Sequence, residues 1–280
     1  MKRKRIHCSR SVSLSTGSTV FPLIHDSQLG IILRSITFVS TILLGLASAH
    51  GQGLIEQGLV INNTIGDGPY VALTFDACTG QVDERILQAL IEHKIKSTIF
   101  VTARWLKRNP KAIAEFKAHP DLFEIENHGG NHLPAIDFPT NAFGLKAAGS
   151  PRAVRQEVES GAAAIRQAFG NEPIWFRGAT GMYTASSKNQ IADLHFKIAG
   201  YTLRGDGGAG FSKQKAATTI GNAKNGDVII AHINQPRKPA GAGVVEGILR
   251  LKSAGFAFMK LQDTVEPQIS SCNHCADSAH

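Results

Sequence analysis

The sequence has no internal repeat and no proline, glycine and serine stretch long enough to divide it, so repeat architectures are excluded and one domain is expected. Cysteine is scarce: of four, Cys8 lies near the start, Cys272 and Cys275 lie near the end, and Cys78 stands alone. A true surplus of positive charge is missing as well. The formal net charge is +8, but residues 1–49 hold six of the 30 Lys and Arg and one of the 22 acids. The remaining 24 bases and 21 acids leave about +3, too little and too scattered for a nucleic-acid surface. What is present, 42% hydrophobic and 19% charged residues, is the balance of a globular chain with a sizeable core, not of a disordered one.

Residues 1–49 differ in kind from the rest. Lys2, Arg3, Lys4 and Arg5 are followed, further on, by an apolar run from Ile36 that ends in Ala47, Ser48 and Ala49. This is the order of a secretory signal with a cut after Ala49. The stretch from Ser9 to Gly30 makes the basic region long, as though translation began further along. Arg34, Ser35, Thr37, Ser40 and Thr41 shorten the apolar run, so an uncleaved membrane anchor is the weaker reading and a periplasmic or secreted protein is expected. In that oxidising setting Cys272 and Cys275 could close a small loop, or hold a metal with His274 and His280. A disordered tail over 266–280 is the plainer expectation.

From Val60 onward, short apolar runs alternate with helical periodicity. Strands are expected at Val71 to Phe75, Ser97 to Val101, Phe123 to Ile125, Ile174 to Phe176, Tyr201 to Leu203, Val228 to His232 and Phe256 to Met259. Helices are expected from near Val82, around Ile113 and Phe116, from Pro151 to Phe169 behind a Ser150 cap, from Ser187 to Ala199, from a Ser212 cap to Asn222, and from Val244 to Ala254. Residues 133–149 read as a surface loop. The fold class is thus α/β, a distorted parallel barrel of about seven strands spanning 60–265. Asp76, His128, Arg177, Asp206 and His232 all fall at C-terminal strand ends, which converge on one mouth in such a barrel.

His128 and His132 are four residues apart on a glycine-rich turn, half of a divalent metal site. Around them, Thr74, Phe75 and Asp76, then Trp175, Phe176 and Arg177 with Gly181, then Ile230, Ala231 and His232 follow in order. In that order and spacing they resemble the first, second, third and fifth motifs of the polysaccharide deacetylases, the NodB-homology or carbohydrate esterase four family. The resemblance covers roughly Tyr70 to Leu261. It implies a metal-dependent hydrolase, with zinc the expected ion, that removes N-acetyl groups from a polysaccharide or peptidoglycan. It implies Asp76 as general base, Arg177 as the group orienting it, and His232 as the acid toward the leaving amine. Asp206, by position alone, is the candidate partner of His232, although Gly205, Asp206 and Gly207 also read as a simple turn. Each of these residues has a structural reading too: Asp76 as a helix cap, Arg177 in an ion pair, His232 as a buried strand histidine.

The pattern departs from the family in three places. The family's second consecutive aspartate, a metal ligand, is here Ala77, and a methyl group cannot coordinate. Either Asp76 turns to the metal, or Cys78 supplies a thiolate, or two histidines and water suffice. Glu126 could reach the site only if the strand end twists, and an inert buried thiol is the plainer reading of Cys78. The third motif lacks its usual proline. The fourth motif's Asp and Trp are not recognisable between Tyr201 and Gly208, so the acetyl pocket is expected to be shaped differently. These departures keep two other readings open: a hydrolase of another non-peptide C–N bond, such as an amide or cyclic imide, and a glycan-binding pseudoenzyme.

Overall fold

The computed structural model describes residues 53–62 and 68–271, with the backbone alone for the last strand. The expected export signal and the Cys272 to Cys275 tail lie outside the described residues. The elements run in order as β1 (Ile55–Asn62), β2 (Tyr70–Ala77), α1 (Glu84–Glu92), β3 (Ser97–Val101), α2 (Ala103–Arg108), α3 (Pro110–Ala118) and β4 (Phe123–Asn127). There follow β5 (Asn141–Ala142), β6 (Leu145–Lys146), α4 (Pro151–Phe169), β7 (Trp175–Phe176), β8 (Met182–Tyr183), α5 (Ala185–Asp193), β9 (Lys197–Ile198) and β10 (Leu203–Arg204). The chain ends in α6 (Lys213–Gly221), β11 (Val228–His232), α7 (Ala240–Ser253), β12 (Ala257–Met259) and β13 (Val265–Ser271).

The main sheet is parallel throughout, in the order β10, β11, β2, β3, β4, β7, β9, with β12 alongside the start of β2. It is the expected α/β architecture, a curled half-barrel; among the described residues no ladder joins β9 to β10, which is where the barrel is distorted. Strand β2, between β11 and β3, is an interior strand and is buried on both faces, as parallel sheets covered by helices require. Its odd residues Val71, Leu73, Phe75 and Ala77 pack into the layer of Ile86, Leu87 and Leu90 from α1 and Val244, Ile248 and Leu251 from α7. Each fully buried side chain of this size contributes roughly 1.5–3 kcal/mol. The even residues face the other way, where Ala72 meets Leu59, Phe100, Trp175 and Tyr201, and where Thr74 and Asp76 meet the site.

Local chemistry set most boundaries as expected. Ser150 Oγ accepts the Ala153 N–H at 3.2 Å, Pro151 occupies the first turn, and Gly170 closes α4 at φ 80°. The helix around Ile113 is interrupted: α2 ends at Arg108 because the next segment starts with Pro110, which has no N–H to continue the ladder. The helix expected to reach Ala199 stops at Asp193, where His195 takes φ 65° and turns the chain into β9 beside β7. Two strands correct the expected domain limits. β13 covers 265–271, the start of the expected tail, and pairs antiparallel with β1, from Gln57 opposite Ser271 to Asn62 opposite Val265. The other edge of β1 meets β8.

Candidate active site

Register brings the chemistry together. His232 on β11 sits opposite Asp76 on β2, and Asn127 on β4 sits opposite Phe176 on β7, so His128 and Arg177 leave neighbouring strand ends. The side chain of Arg177 is fully buried. Its Nη1 donates to Thr74 Oγ1 at 2.9 Å and Asp76 Oδ1 at 3.0 Å, Nη2 to the Gly200 carbonyl at 3.1 Å, and Nε to the Ala199 carbonyl at 3.2 Å. The guanidinium also stacks 4.2 Å from the Phe100 ring centre. Burial alone would raise the Asp76 carboxyl, but the positive charges of His128, Arg177 and His232 outweigh it and hold Asp76 below its ordinary value. Removing one partner of such a pair typically costs about 3–5 kcal/mol, because a charge is left buried and unpaired.

His128 Nδ1 lies 2.6 Å from the Arg177 carbonyl. A carbonyl only accepts, so Nδ1 carries the hydrogen and Nε2 turns inward, 3.6 Å from Asp76 Oδ2 and 3.5 Å from Cys78 Sγ. In the metal-free protein burial opposes a charged ring, but Asp76 and Cys78 overcome it and push His128 up to about 9. Burial likewise opposes ionisation of Cys78, yet His128 and the hydrogen bonds from the neighbouring histidines bring its thiol well below the usual range. His132, at φ 63°, sets its ring 5.1 Å from that of His128.

The turn carrying both histidines is fastened by a residue the sequence reading missed. Glu157 on α4 accepts the Asn131 N–H at 2.8 Å and the Leu133 N–H at 3.0 Å, straddling His132. Asn127 adds a bond from the Gly129 N–H at 2.8 Å to its Oδ1. A signal for Glu157 existed, since it lies on the buried stripe of α4 with Val154, Val158 and Gly161. Glu126, a possible inward carboxylate, is engaged elsewhere: it accepts the Ile174 and Trp175 N–H groups at 3.0 and 2.7 Å and ties β4 to β7.

Asp206 lies beside His232. Its carboxylate accepts the His232 backbone N–H at 2.7 Å and lies 3.0 Å from Nδ1, so the ring's Nε2 is the nitrogen left for the cavity. Burial disfavours the imidazolium, but the Asp206 charge more than compensates and holds His232 well above its ordinary value. Asp76, Cys78, His132, Asp206 and His232 line one cavity of about 510 Å³. Tyr201, Phe211 and Phe143 from the β5–β6 hairpin contribute aromatic wall where the fourth-motif tryptophan was missed. Ala77 is not part of that lining; its methyl is buried in the helix-side core.

These residues fit a divalent cation. One donor atom each from Cys78, His128 and His132 lies within 4.8 Å of the other two, and the His128 tautomer leaves its Nε2 lone pair free to coordinate.

The curled parallel sheet with polar groups at its C-terminal strand ends is the NodB-like fold. Among solved structures it matches a CE4 family pseudoenzyme from Bacillus anthracis at TM-score 0.55 and 19% identity, covering 71% of this chain and 66% of that one. It also matches peptidoglycan deacetylase PdaC from Bacillus subtilis at TM-score 0.56 and 19% identity, covering 70% and 89%. A curated relative, the uncharacterized protein YlxY of Bacillus subtilis (strain 168), is 23% identical over 217 residues, 75% of this chain and 61% of that protein. A bifunctional xylanase/deacetylase of Pseudobutyrivibrio xylanivorans is 20% identical over 197 residues, 70% of this chain and 30% of that protein. The chain thus spans less than two thirds of either curated relative. The polysaccharide deacetylase family model matches residues 64–199. With its motifs on strand ends of this fold, the chain is similar to the polysaccharide deacetylase family, as a divergent relative of it.

Proposed function

We propose that the protein is an exported, metal-dependent hydrolase that removes acetyl groups from an N-acetylated glycan. The observation that carries this reading is the convergence of Asp76, held ionised by Arg177, and His232, held protonated by Asp206, on one cavity with His132, while His128 lies behind it against Asp76 and His132. When bound there, a divalent ion supplies a Lewis acid for the acyl oxygen and acidifies a water. Asp76 accepts a proton from the attacking water, and Arg177 fixes the carboxylate that receives it. His232 gives its Nε2 proton to the departing nitrogen as the C–N bond breaks, yielding acetate and a free amine. Asp206 holds Nδ1 and steadies the charged ring. Tyr201, Phe211 and Phe143 offer flat apolar faces for a sugar.

The test is acetate release from N-acetylglucosamine polymers and peptidoglycan by zinc-loaded protein, with His232→Asn as control. Release lost in the variant is the expected result; loaded protein that frees no acetate from any such glycan overturns the reading. Turnover of small amides or cyclic imides without glycan turnover would move the assignment to another C–N bond. The loss of a carboxylate at Ala77 favours a second reading, a pseudoenzyme that binds glycan without turnover. It predicts that glycan binding survives His128→Ala. Export rests on residues 1–49 and is tested by finding the mature N-terminus next to Ala49 in the periplasm or medium. Among the described residues no helix is long and apolar enough to cross a membrane.

A further inference from the structure

We infer that Cys78 is the third protein ligand of the metal, so that this chain holds its ion through one thiolate and two imidazoles. The inference rests on the metal-dependent reading above. The methyl at position 77 has no donor atom, and the next side chain to reach the cavity is that of position 78. Ala77 belongs to the apolar layer under the helices, together with Val71, Leu73 and Phe75, whereas Asp76 and Cys78 both line the cavity. Replacing the carboxylate of position 77 by a methyl therefore leaves a donor one residue later, on the cavity side.

Three geometric facts bear on that donor. Its Sγ is 3.5 Å from His128 Nε2, the nitrogen freed for coordination because Nδ1 is taken by the Arg177 carbonyl. Its carbonyl accepts the Thr102 hydroxyl at 2.5 Å, which fixes the strand end from which the side chain departs. Its side chain shares one donor cluster with both histidines, the one group of this kind found among the described residues. Asp76 is the competing ligand, but one of its oxygens is already committed to Arg177. With Cys78 in the shell, Asp76 stays available to handle protons.

The donor set also selects the ion. One sulfur and two nitrogens suit a tetrahedral zinc or cobalt with a fourth position open to water, as in catalytic zinc sites with three protein ligands. Oxygen-seeking ions such as magnesium and manganese lose their preferred partner when a carboxylate gives way to a thiolate.

The experiment uses full-length protein stripped by chelator and titrated with Co²⁺. Wild type is expected to show an intense near-ultraviolet thiolate-to-cobalt charge-transfer band saturating at one equivalent. Cys78→Ser should lose that band and bind zinc more weakly by more than the roughly 10–100-fold that losing an outer-shell partner costs. Cys78→Asp, restoring a carboxylate, should bind zinc without the band and gain affinity for Mn²⁺ relative to zinc. Circular dichroism confirms that the variants fold. Cobalt bound to wild type without a charge-transfer band, or zinc affinity unchanged in Cys78→Ser, overturns the inference. Neither readout depends on turnover: a protein with the band but no acetate release refutes the hydrolase reading alone, and acetate release without the band refutes the Cys78 assignment alone.

Discussion

At the scale of the residue, the site separates two titrating groups by giving each a buried partner of opposite charge. Asp76 is pressed below its ordinary value by cations and His232 is raised well above its own by Asp206. In the proposed mechanism this lets a base that must be ionised and an acid that must be protonated coexist across the neutral range. The sign of the pH dependence follows. Activity that needs protonated His232 is present at lower pH and fades as pH rises through its raised value. Asp206→Asn removes the charge that does the raising while keeping an acceptor for the His232 N–H. The alkaline limb of the kcat profile should then move to lower pH, and an unmoved limb would show that His232 is not the proton donor. The types of these residues were legible in the sequence because each sits at the end of a strand. Their pairing was less so: nothing between Gly205 and Gly207 distinguishes a turn aspartate from one whose oxygens face an imidazole. That difference is made by the parallel ladder of β10 and β11, which aligns Arg204 with Ile230 and delivers Asp206 beside His232.

At the scale of the element, α4 is the scaffold of the histidine turn. Its limits were legible from Ser150, Pro151 and Gly170, but its role was not, because that role depends on small and polar side chains meeting a backbone far away in sequence. A Cβ on Gly161 would lie 2.1 Å from Asn127 Oδ1 and 2.7 Å from the Gly129 carbonyl carbon. Gly161→Ala should therefore push the His128 turn off α4 and weaken zinc binding by at least the roughly tenfold typical of a lost outer-shell support, even though alanine raises helix propensity by about 1 kcal/mol. Wild-type zinc affinity in that variant would mean the turn does not rely on α4. The β4–β7 seam makes a different prediction. Burial, helped by the neighbouring Glu124 charge, pushes Glu126 up to about 9 from 4.5. The folded chain thus keeps a proton that the unfolded chain gives up above 4.5. Stability from this group is full at acidic pH and declines as pH rises toward 9. Glu126→Gln, which keeps an acceptor for Ile174 and Trp175, should flatten the fall of Tm on the alkaline side; an unchanged slope would place the titration elsewhere.

At the scale of the whole molecule, the parallel half-barrel was legible because each of its strands is a compact apolar run next to a helical period. The β1–β13 pair was not, since neither segment carries a strong pattern of its own and about two hundred residues separate them. Yet this pair braces the cavity wall. Glu56 on β1 accepts from both the Tyr201 hydroxyl and Arg204, two residues of the lining. The Gln57 carbonyl receives the Tyr201 N–H at 3.3 Å and lies so close to Gly200 that a Cβ there would be 2.1 Å away. Gly200 in turn offers its carbonyl to Arg177. A chain ended at Thr264 would lose β13 and leave one edge of β1 unpaired over most of its length. Because the hydrogen bonds of β1 run to the wall and, through Gly200, to the floor of Arg177, the effects should divide. Hydrogen exchange of the β1 amides should accelerate and KM for a glycan should rise, while zinc stoichiometry stays at that of the full chain. Loss of zinc together with β1 protection would show that the strand pair supports the metal site as well, and unchanged β1 exchange would show that β13 braces nothing.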